Sequence, residues 1–288
     1  MPRYALIGHP ICHSLSPRLF EAAYGGRYAY DLLEGKYFEE SYARFLKSYD
    51  AVNVTAPFKE KAFERADIVS GPAALIGAAN ILVKTPEGVQ AHNSDFSGVI
   101  LAVAEELFPG IVSEFYGTFG PSAHIKVHQA VRTQLSGRNP SALVVGLGGA
   151  GKAAAVAAAE MGFSTTILNR TAAKAATFAK GLPEYRFATG PLEDFREALK
   201  ASDLVIYALP VALDCIPDLK ASDFRPGQIV LEANYRDPSF KGLTLARLQD
   251  GGARYVPGGN WLIGQALSGY STMTGQCPDA AALTGALL

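Results

Sequence analysis

The chain has 288 residues, a formal net charge of −1, and 49% hydrophobic against 18% charged residues, a balance that suits a compact protein of two domains. No basic block and no apolar run of about 18 residues is present, which speaks against nucleic-acid and membrane partners, and Met1-Pro2-Arg3 opens no secretory signal. Three widely spaced cysteines, Cys12, Cys215 and Cys277, read as free thiols of a reducing, cytoplasmic compartment rather than a disulfide frame or a metal site.

Tyr4 to Gly8 reads as a short buried strand. Ser16-Pro17 then looks like an N-cap and first-turn pair opening a helix over 18–24. With Ser14 it places two hydroxyls where a carboxylate can be held. A strand over 28–33 and a helix over 37–49 follow. The stretch Asn53-Val54-Thr55-Ala56-Pro57-Phe58-Lys59 starts as a buried strand and breaks at Pro57 into a helix over 59–65. Taken alone, Lys59 reads first as a solvated helix lysine, yet it stands just past a strand end, where open α/β sheets bind ligands. A hairpin is predicted from Ile81 to Lys84 and back through Val89 to His92 around Pro86-Glu87-Gly88. Asp95 precedes an apolar helix over 96–107 and can serve as its N-cap.

Pro109 to Pro140 is long for a linker. Its glycines Gly117 and Gly120 suggest loop, and 123–135 looks helical. His124 and His128 have metal-ligand spacing but no third partner, so a surface or packed pair is expected. Next comes the stretch on which the chain is centred. Leu143 to Val145 form a strand, Gly146-Leu147-Gly148-Gly149-Ala150-Gly151 a full G-x-G-x-x-G, and Ala153 to Ala159 an alanine-rich helix ended by Gly162. Thr165 to Leu168 form a second strand. The first glycine allows a tight turn, the second lets backbone approach a pyrophosphate, and the third lets helix pack on strand. At the second strand's end stand Asn169-Arg170-Thr171 and Lys174, with no carboxylate for a ribose 2′-hydroxyl. A guanidinium, a hydroxyl and an ammonium suit a 2′-phosphate, so the reading is NADP rather than NAD. Beyond it, a strand is expected over 185–188, a helix over 192–199, strands over 204–208 and 229–233, and a helix over 243–250.

Six motifs now stand in one order: Ser14-Leu15-Ser16-Pro17, Asn53 to Lys59, Gly77-Ala78-Ala79-Asn80, Asn93-Ser94-Asp95, the glycine loop, and Asn169-Arg170-Thr171. Together they resemble the shikimate dehydrogenase family, over almost the whole chain and most strongly in residues 4–98. Gly258 and Gln265-Ala266 are similar to that family's C-terminal segment. The resemblance implies NADP-dependent, reversible reduction of 3-dehydroshikimate to shikimate, on the route to aromatic amino acids. It implies Lys59 and Asp95 as the catalytic pair, Ser14 and Ser16 on the substrate carboxylate, and Thr55 and Asn80 on the ring hydroxyls. It places Gln265 and Tyr235 as further substrate contacts. Gly146, Gly148, Gly149, Ala150, Gly151, Asn169, Arg170, Thr171, Lys174 and Gly258 fall to the cofactor. The chain departs from the family's pattern at Tyr207, Leu209, Ala212 and Leu213, on the nicotinamide side, and at Gly259 and Trp261, on the cleft rim. Trp261 reads first as packing.

The expected architecture is α/β in two domains with a deep cleft between them. Residues 1–97, completed by C-terminal helices from 262 to 288, form a substrate domain, and 98–261 form a Rossmann-type doubly wound parallel sheet. The expected partner is a small-molecule acid, and the expected assembly a monomer or homodimer. Two further readings stay open: a quinate or shikimate dehydrogenase with shifted substrate or cofactor, and a non-catalytic sensor of shikimate or quinate on the same scaffold. Ser16 favours shikimate, because quinate carries an extra hydroxyl at the carboxylate-bearing carbon and needs room there.

Overall fold

The computed structural model describes residues 2–287, the side chain of Phe119 apart. In chain order its elements are β1 (Arg3–Gly8), α1 (Ser16–Tyr24), β2 (Ala29–Glu34), α2 (Phe38–Ser48), β3 (Ala51–Val54), α3 (Lys59–Glu64), β4 (Ile68–Val69), α4 (Gly71–Ile76), β5 (Ile81–Thr85), β6 (Gly88–His92), α5 (Ser94–Leu107), α6 (Ile111–Phe119) and α7 (Ala123–Leu135). There follow β7 (Ser141–Val145), α8 (Gly149–Met161), β8 (Ser164–Leu168), α9 (Ala172–Gly181), β9 (Ala188–Gly190), α10 (Phe195–Ala201), β10 (Leu204–Tyr207), β11 (Ile229–Glu232), α11 (Gly242–Asp250), β12 (Arg254–Val256), α12 (Gly258–Thr274) and α13 (Ala280–Leu287).

The chain divides into two compact units: Met1–Gly98, Ser113–His124 and Ile263–Leu288 form the first, Val99–Val112 and Ile125–Leu262 the second. In the first unit the sheet order is β2-β1-β3-β5-β6-β4. Strands β2, β1 and β3 are parallel, and the hairpin β5–β6 turns antiparallel against β3. Alternate residues Ile7, Val52 and Leu82 face a core that α2 covers with Phe38, Tyr42 and Phe45, a spacing that keeps all three on one helical face. Helix α1 begins slightly earlier than its sequence suggests. Ser16 is its first residue rather than its cap. The cap position falls to Leu15, and the Ser14 Oγ accepts the Ser16 N–H at 3.2 Å, leaving Ser16's own hydroxyl free of backbone duty.

All six strands of the second unit are parallel, in the order β12-β11-β10-β7-β8-β9. Counted from β7 this is the doubly wound order 3-2-1-4-5-6, with its switch between β7 and β10, where such sheets take dinucleotides. The near-continuous apolar runs of the central strands β7, β10 and β11 are buried on both faces, as central parallel strands require.

Three further sequence expectations give way. Residues 111–119 form a helix rather than a loop: both carboxylate oxygens of Glu105 accept N–H groups at its start, from Gly110 at 2.7 Å and Val112 at 3.2 Å, and Tyr116 is buried, so the cost of Gly117 is met. Residues 113–124 pack with the first unit, where the sequence reading gave all of 98–261 to the second. The strand expected over 185–188 begins only at Ala188, because Pro183 opens a tight 3₁₀ turn and Arg186 closes it at φ 50°.

The glycine turn fixes how α8 meets β7. A Cβ on Gly151 would lie 2.0 Å from the Gly146 carbonyl oxygen, which backbone cannot yield. Gly151→Ala is therefore expected to cost about 1–3 kcal/mol or more of stability, read as a lowered thermal midpoint by circular dichroism. An unchanged midpoint would mean that α8 can slide off β7.

Candidate active site

Lys59 is the first residue of α3 and Asp95 the second of α5. The Lys59 Nζ donates to Asp95 Oδ2 at 2.5 Å, with side-chain exposures of 19% and 6%. The ammonium is thus held by a buried carboxylate while one side stays open to water. Asp95 is available for this because it does not cap α5. Asn93 does: its Oδ1 accepts the Phe96 N–H at 3.3 Å and its amide donates to the Ala78 carbonyl at 2.9 Å.

The segment 78–80 sets both helix starts. The Ala79 N–H donates to the Lys59 carbonyl at 2.9 Å. The Asn80 Oδ1 accepts the Ser94 N–H at 2.7 Å, and its Nδ2 donates to Ser94 Oγ at 3.1 Å. Asn80 is buried and keeps one amide proton unspent by these bonds. Thr55 follows β3 directly, and its methyl packs on Gly8, where a Cβ would come within 2.4 Å. Ser14 Oγ donates to Ser16 Oγ at 3.1 Å. Gln265 is half-buried on α12, one turn before Gly269. A Cβ on Gly269 would stand 2.8 Å from Ser94 Oγ, so this glycine lets α12 lie against the start of α5. Seven of the residues singled out in the sequence, Ser14, Ser16, Thr55, Lys59, Asn80, Asp95 and Gln265, fall in the first unit. Tyr235 falls in the second, half-buried in the turn after β11, with the Arg236 guanidinium 5.4 Å from its ring centre.

In the second unit the glycine loop closes at Gly146, whose φ of 95° only glycine adopts easily. A Cβ on Gly148 would meet nothing within 4 Å, so the loop's outer side is open, and α8 starts with Gly149 and Ala150 and no side-chain cap. Its first N–H groups face that space unpaired by a cap, the arrangement that takes a phosphate. Asn169 ties the loop to the next turn: its Oδ1 accepts the Leu147 N–H at 3.1 Å and its Nδ2 donates to the Thr171 carbonyl at 3.0 Å. Arg170, Thr171 and Lys174 are exposed beside it. A recess of about 390 Å³ is lined by Leu147, Lys152, Lys174, Thr177 and Phe178 among others. Lys152 was missed in the sequence, although a lysine in the first turns of a helix is itself a sign of a nearby anion. This loop, open and rich in donors, fits an NADP pyrophosphate and 2′-phosphate. Gly258 has a packing reason of its own, since a Cβ there would lie 2.7 Å from the Ala233 carbonyl oxygen.

No group of three metal-binding side chains occurs among the described residues, His124 and His128 included. His128 Nε2 lies 3.1 Å from the Glu160 carbonyl oxygen. Trp261 is buried at 4% exposure, as packing requires. Tyr207, one of the departures, is fully buried at the end of β10 and pins the loop after it. Its hydroxyl donates to the Val211 carbonyl at 2.8 Å and accepts the Leu213 N–H at 2.9 Å. Burial pushes its phenol up to about 12, so it remains a donor across the physiological range. Leu209 of the same loop packs on Gly146. Tyr207→Phe removes both bonds and is expected to cost about 1–3 kcal/mol, read by chemical denaturation, with faster amide exchange confined to residues 209–213. Unchanged exchange there would show that the loop holds without the phenol.

These features define a dinucleotide-binding α/β protein of two units, with a lysine–carboxylate pair at the strand ends of the first. Residues 6–82 match the shikimate dehydrogenase substrate-binding domain and residues 129–216 the shikimate/quinate 5-dehydrogenase family. A shikimate dehydrogenase (NADP(+)) of Rubrobacter xylanophilus is 31% identical over 98% of this chain and 94% of its own length. Its counterpart in Methanothermobacter thermautotrophicus is 29% identical over 98% and 94%. The shikimate 5-dehydrogenase of Thermus thermophilus, solved in complex with NADP(H) and shikimate, superposes with a TM-score of 0.76 at 27% identity, over 100% of this chain and 98% of that one. The chain belongs to the shikimate dehydrogenase family. No helix among the described residues is long and apolar enough to cross a membrane.

Proposed function

We propose that this protein is an NADP-dependent shikimate dehydrogenase, interconverting 3-dehydroshikimate and shikimate in aromatic amino-acid biosynthesis in the cytoplasm. The observation that carries the reading is the Lys59–Asp95 pair, 2.5 Å apart and nearly closed to solvent on the Asp95 side. It stands in a chain whose glycine loop and Arg170-Thr171 turn fit NADP.

The cofactor, when bound, supplies or takes a hydride at the ring carbon that bears the reacting oxygen. The protein does the rest. In the reducing direction that oxygen gains negative charge, and the Lys59 ammonium faces it, stabilises the charge and gives it a proton. Asp95 accepts a hydrogen bond from the same ammonium and so fixes its direction. Lys59 is partly exposed, so water can return the lost proton. In the oxidising direction the neutral amine takes the hydroxyl proton. Ser14 and Ser16 hold the substrate carboxylate, Thr55 and Asn80 the ring hydroxyls, and Gln265 completes the grip within the first unit. Gly146 to Gly151, with Asn169, hold the pyrophosphate side, Arg170, Thr171 and Lys174 the 2′-phosphate, and Gly258 borders the cofactor. An intact lysine–carboxylate pair suits proton transfer, which favours a catalytic role over a sensor.

Lys59→Ala should lower kcat for shikimate oxidation by roughly 10²–10⁴-fold with little change in KM, the mark of a group acting in the transition state. A kcat within twofold of the parent protein would remove Lys59 from the reaction. Arg170→Ala with Lys174→Ala should raise KM for NADP by about 10–100-fold, the loss of one to two charge-assisted hydrogen bonds, and leave kcat at saturation in place. An unchanged KM would move the 2′-phosphate elsewhere.

A further inference from the structure

We propose that Tyr270 is a positioning residue for Ser16, aiming its hydroxyl at the substrate carboxylate; the inference rests on the carboxylate assignment made for Ser16 above. Ser16 sits in a closed set of hydroxyls within the first unit. Ser14 Oγ donates to Ser16 Oγ at 3.1 Å. Tyr270 Oη donates to the Ser16 carbonyl at 3.3 Å, and the phenols of Tyr30 and Tyr270 stand beside the Ser16 side chain. Tyr30 Oη donates to Asn53 Oδ1 at 2.8 Å.

Proton counting gives this cluster a direction. Each hydroxyl has one proton. Ser14 spends its proton on Ser16, Tyr30 on Asn53, and Tyr270 on the Ser16 carbonyl. Neither phenol has a proton left for Ser16 Oγ. The Ser16 proton is spent on none of these bonds and is left for an acceptor, and a carboxylate is a stronger one than a phenol oxygen. The phenols are held neutral, since burial pushes both well above their ordinary range. Neither phenol brings a negative charge that would repel an acid.

The rings are fixed as well. Phe20 lies between them, with ring centres 4.6 Å from Tyr30 and 4.8 Å from Tyr270, and Tyr270 is only 4% exposed. Helix α12 carries both Gln265 and Tyr270, so one helix delivers a proposed substrate contact and the brace of another.

The carboxylate is remote from the reacting carbon and is bound alike in ground and transition states, so the effect belongs in KM. The test varies shikimate at saturating NADP for the parent protein, Tyr270→Phe, Ser16→Ala and the double variant, with thermal midpoints alongside. Tyr270→Phe keeps the ring in the aromatic cluster. It should raise KM for shikimate roughly fivefold, the worth of one neutral hydrogen bond, with kcat held within twofold. In the Ser16→Ala background the same change should add nothing, because there is no hydroxyl left to aim. An unchanged KM, or the same rise in both backgrounds, would overturn the proposal, the second by showing a general loosening of the cluster. A parent protein that does not turn over shikimate would instead overturn the proposed function, and this inference with it.

Discussion

The contact between Lys59 and Asp95 is where the folding of the first unit and its chemistry meet. Two charges 36 positions apart are taken largely out of water, which is costly unless both are paired and well placed. The placement comes from elsewhere. Asn93 takes over the capping of α5, and Asn80 holds the N–H and hydroxyl of Ser94, while Ala79 fastens the start of α3. Buried amides of this kind must find partners, and here their partners are the two helix starts that carry the charged pair. The same arithmetic explains Gly269: α12 can reach the start of α5 only where a side chain is missing.

The second unit solves a different problem, that of leaving backbone donors unspent. Parallel strands consume nearly every N–H within the sheet, so donors for a phosphate must come from a helix start that no side chain caps. Gly146, Gly148 and Gly151 each meet one geometric demand there: a left-handed turn, an open face, and a contact too close for a Cβ. Asn169 then carries the position of that loop to Arg170 and Thr171, so the pyrophosphate and the 2′-phosphate of the cofactor would be read by one connected piece of backbone. The unusual Tyr207 fits the same logic. A large buried phenol fills the end of β10 and replaces with its hydroxyl the bonds a tighter loop would make for itself.

Much of this was legible in the sequence because strong local signals agreed. Buried parallel strands are short apolar runs, α8 is alanine-rich and bounded by glycine, and the glycine spacing carries its own geometry. The six motifs singled out Lys59 and Asp95, though neither was compelling alone, since each has an ordinary use at a helix start. What escaped was long-range. That Glu105 would cap α6, and so turn a glycine-bearing stretch into helix, depends on a side chain outside the segment. That Leu15 rather than Ser16 holds the cap of α1 depends on Ser14 reaching back to the backbone. Lys152 was hidden because its recess is built jointly by α8 and α9. The hydroxyl cluster around Ser16 joins residues from four separate stretches, and no spacing rule brings Tyr270 to residue 16.

The measurement that bears most directly on the account is turnover by the parent protein with shikimate and with quinate, each paired with NADP and with NAD. The account predicts efficient turnover for shikimate with NADP and far lower kcat/KM for the other three pairs, because the proposed Ser16 contact favours an acid without an extra hydroxyl at the carboxylate-bearing carbon and residues 169–174 hold no carboxylate for a ribose 2′-hydroxyl. Preference for quinate or for NAD would contradict it and shift attention to the Tyr207 loop and to Trp261. Absence of turnover in all four pairs would contradict it outright.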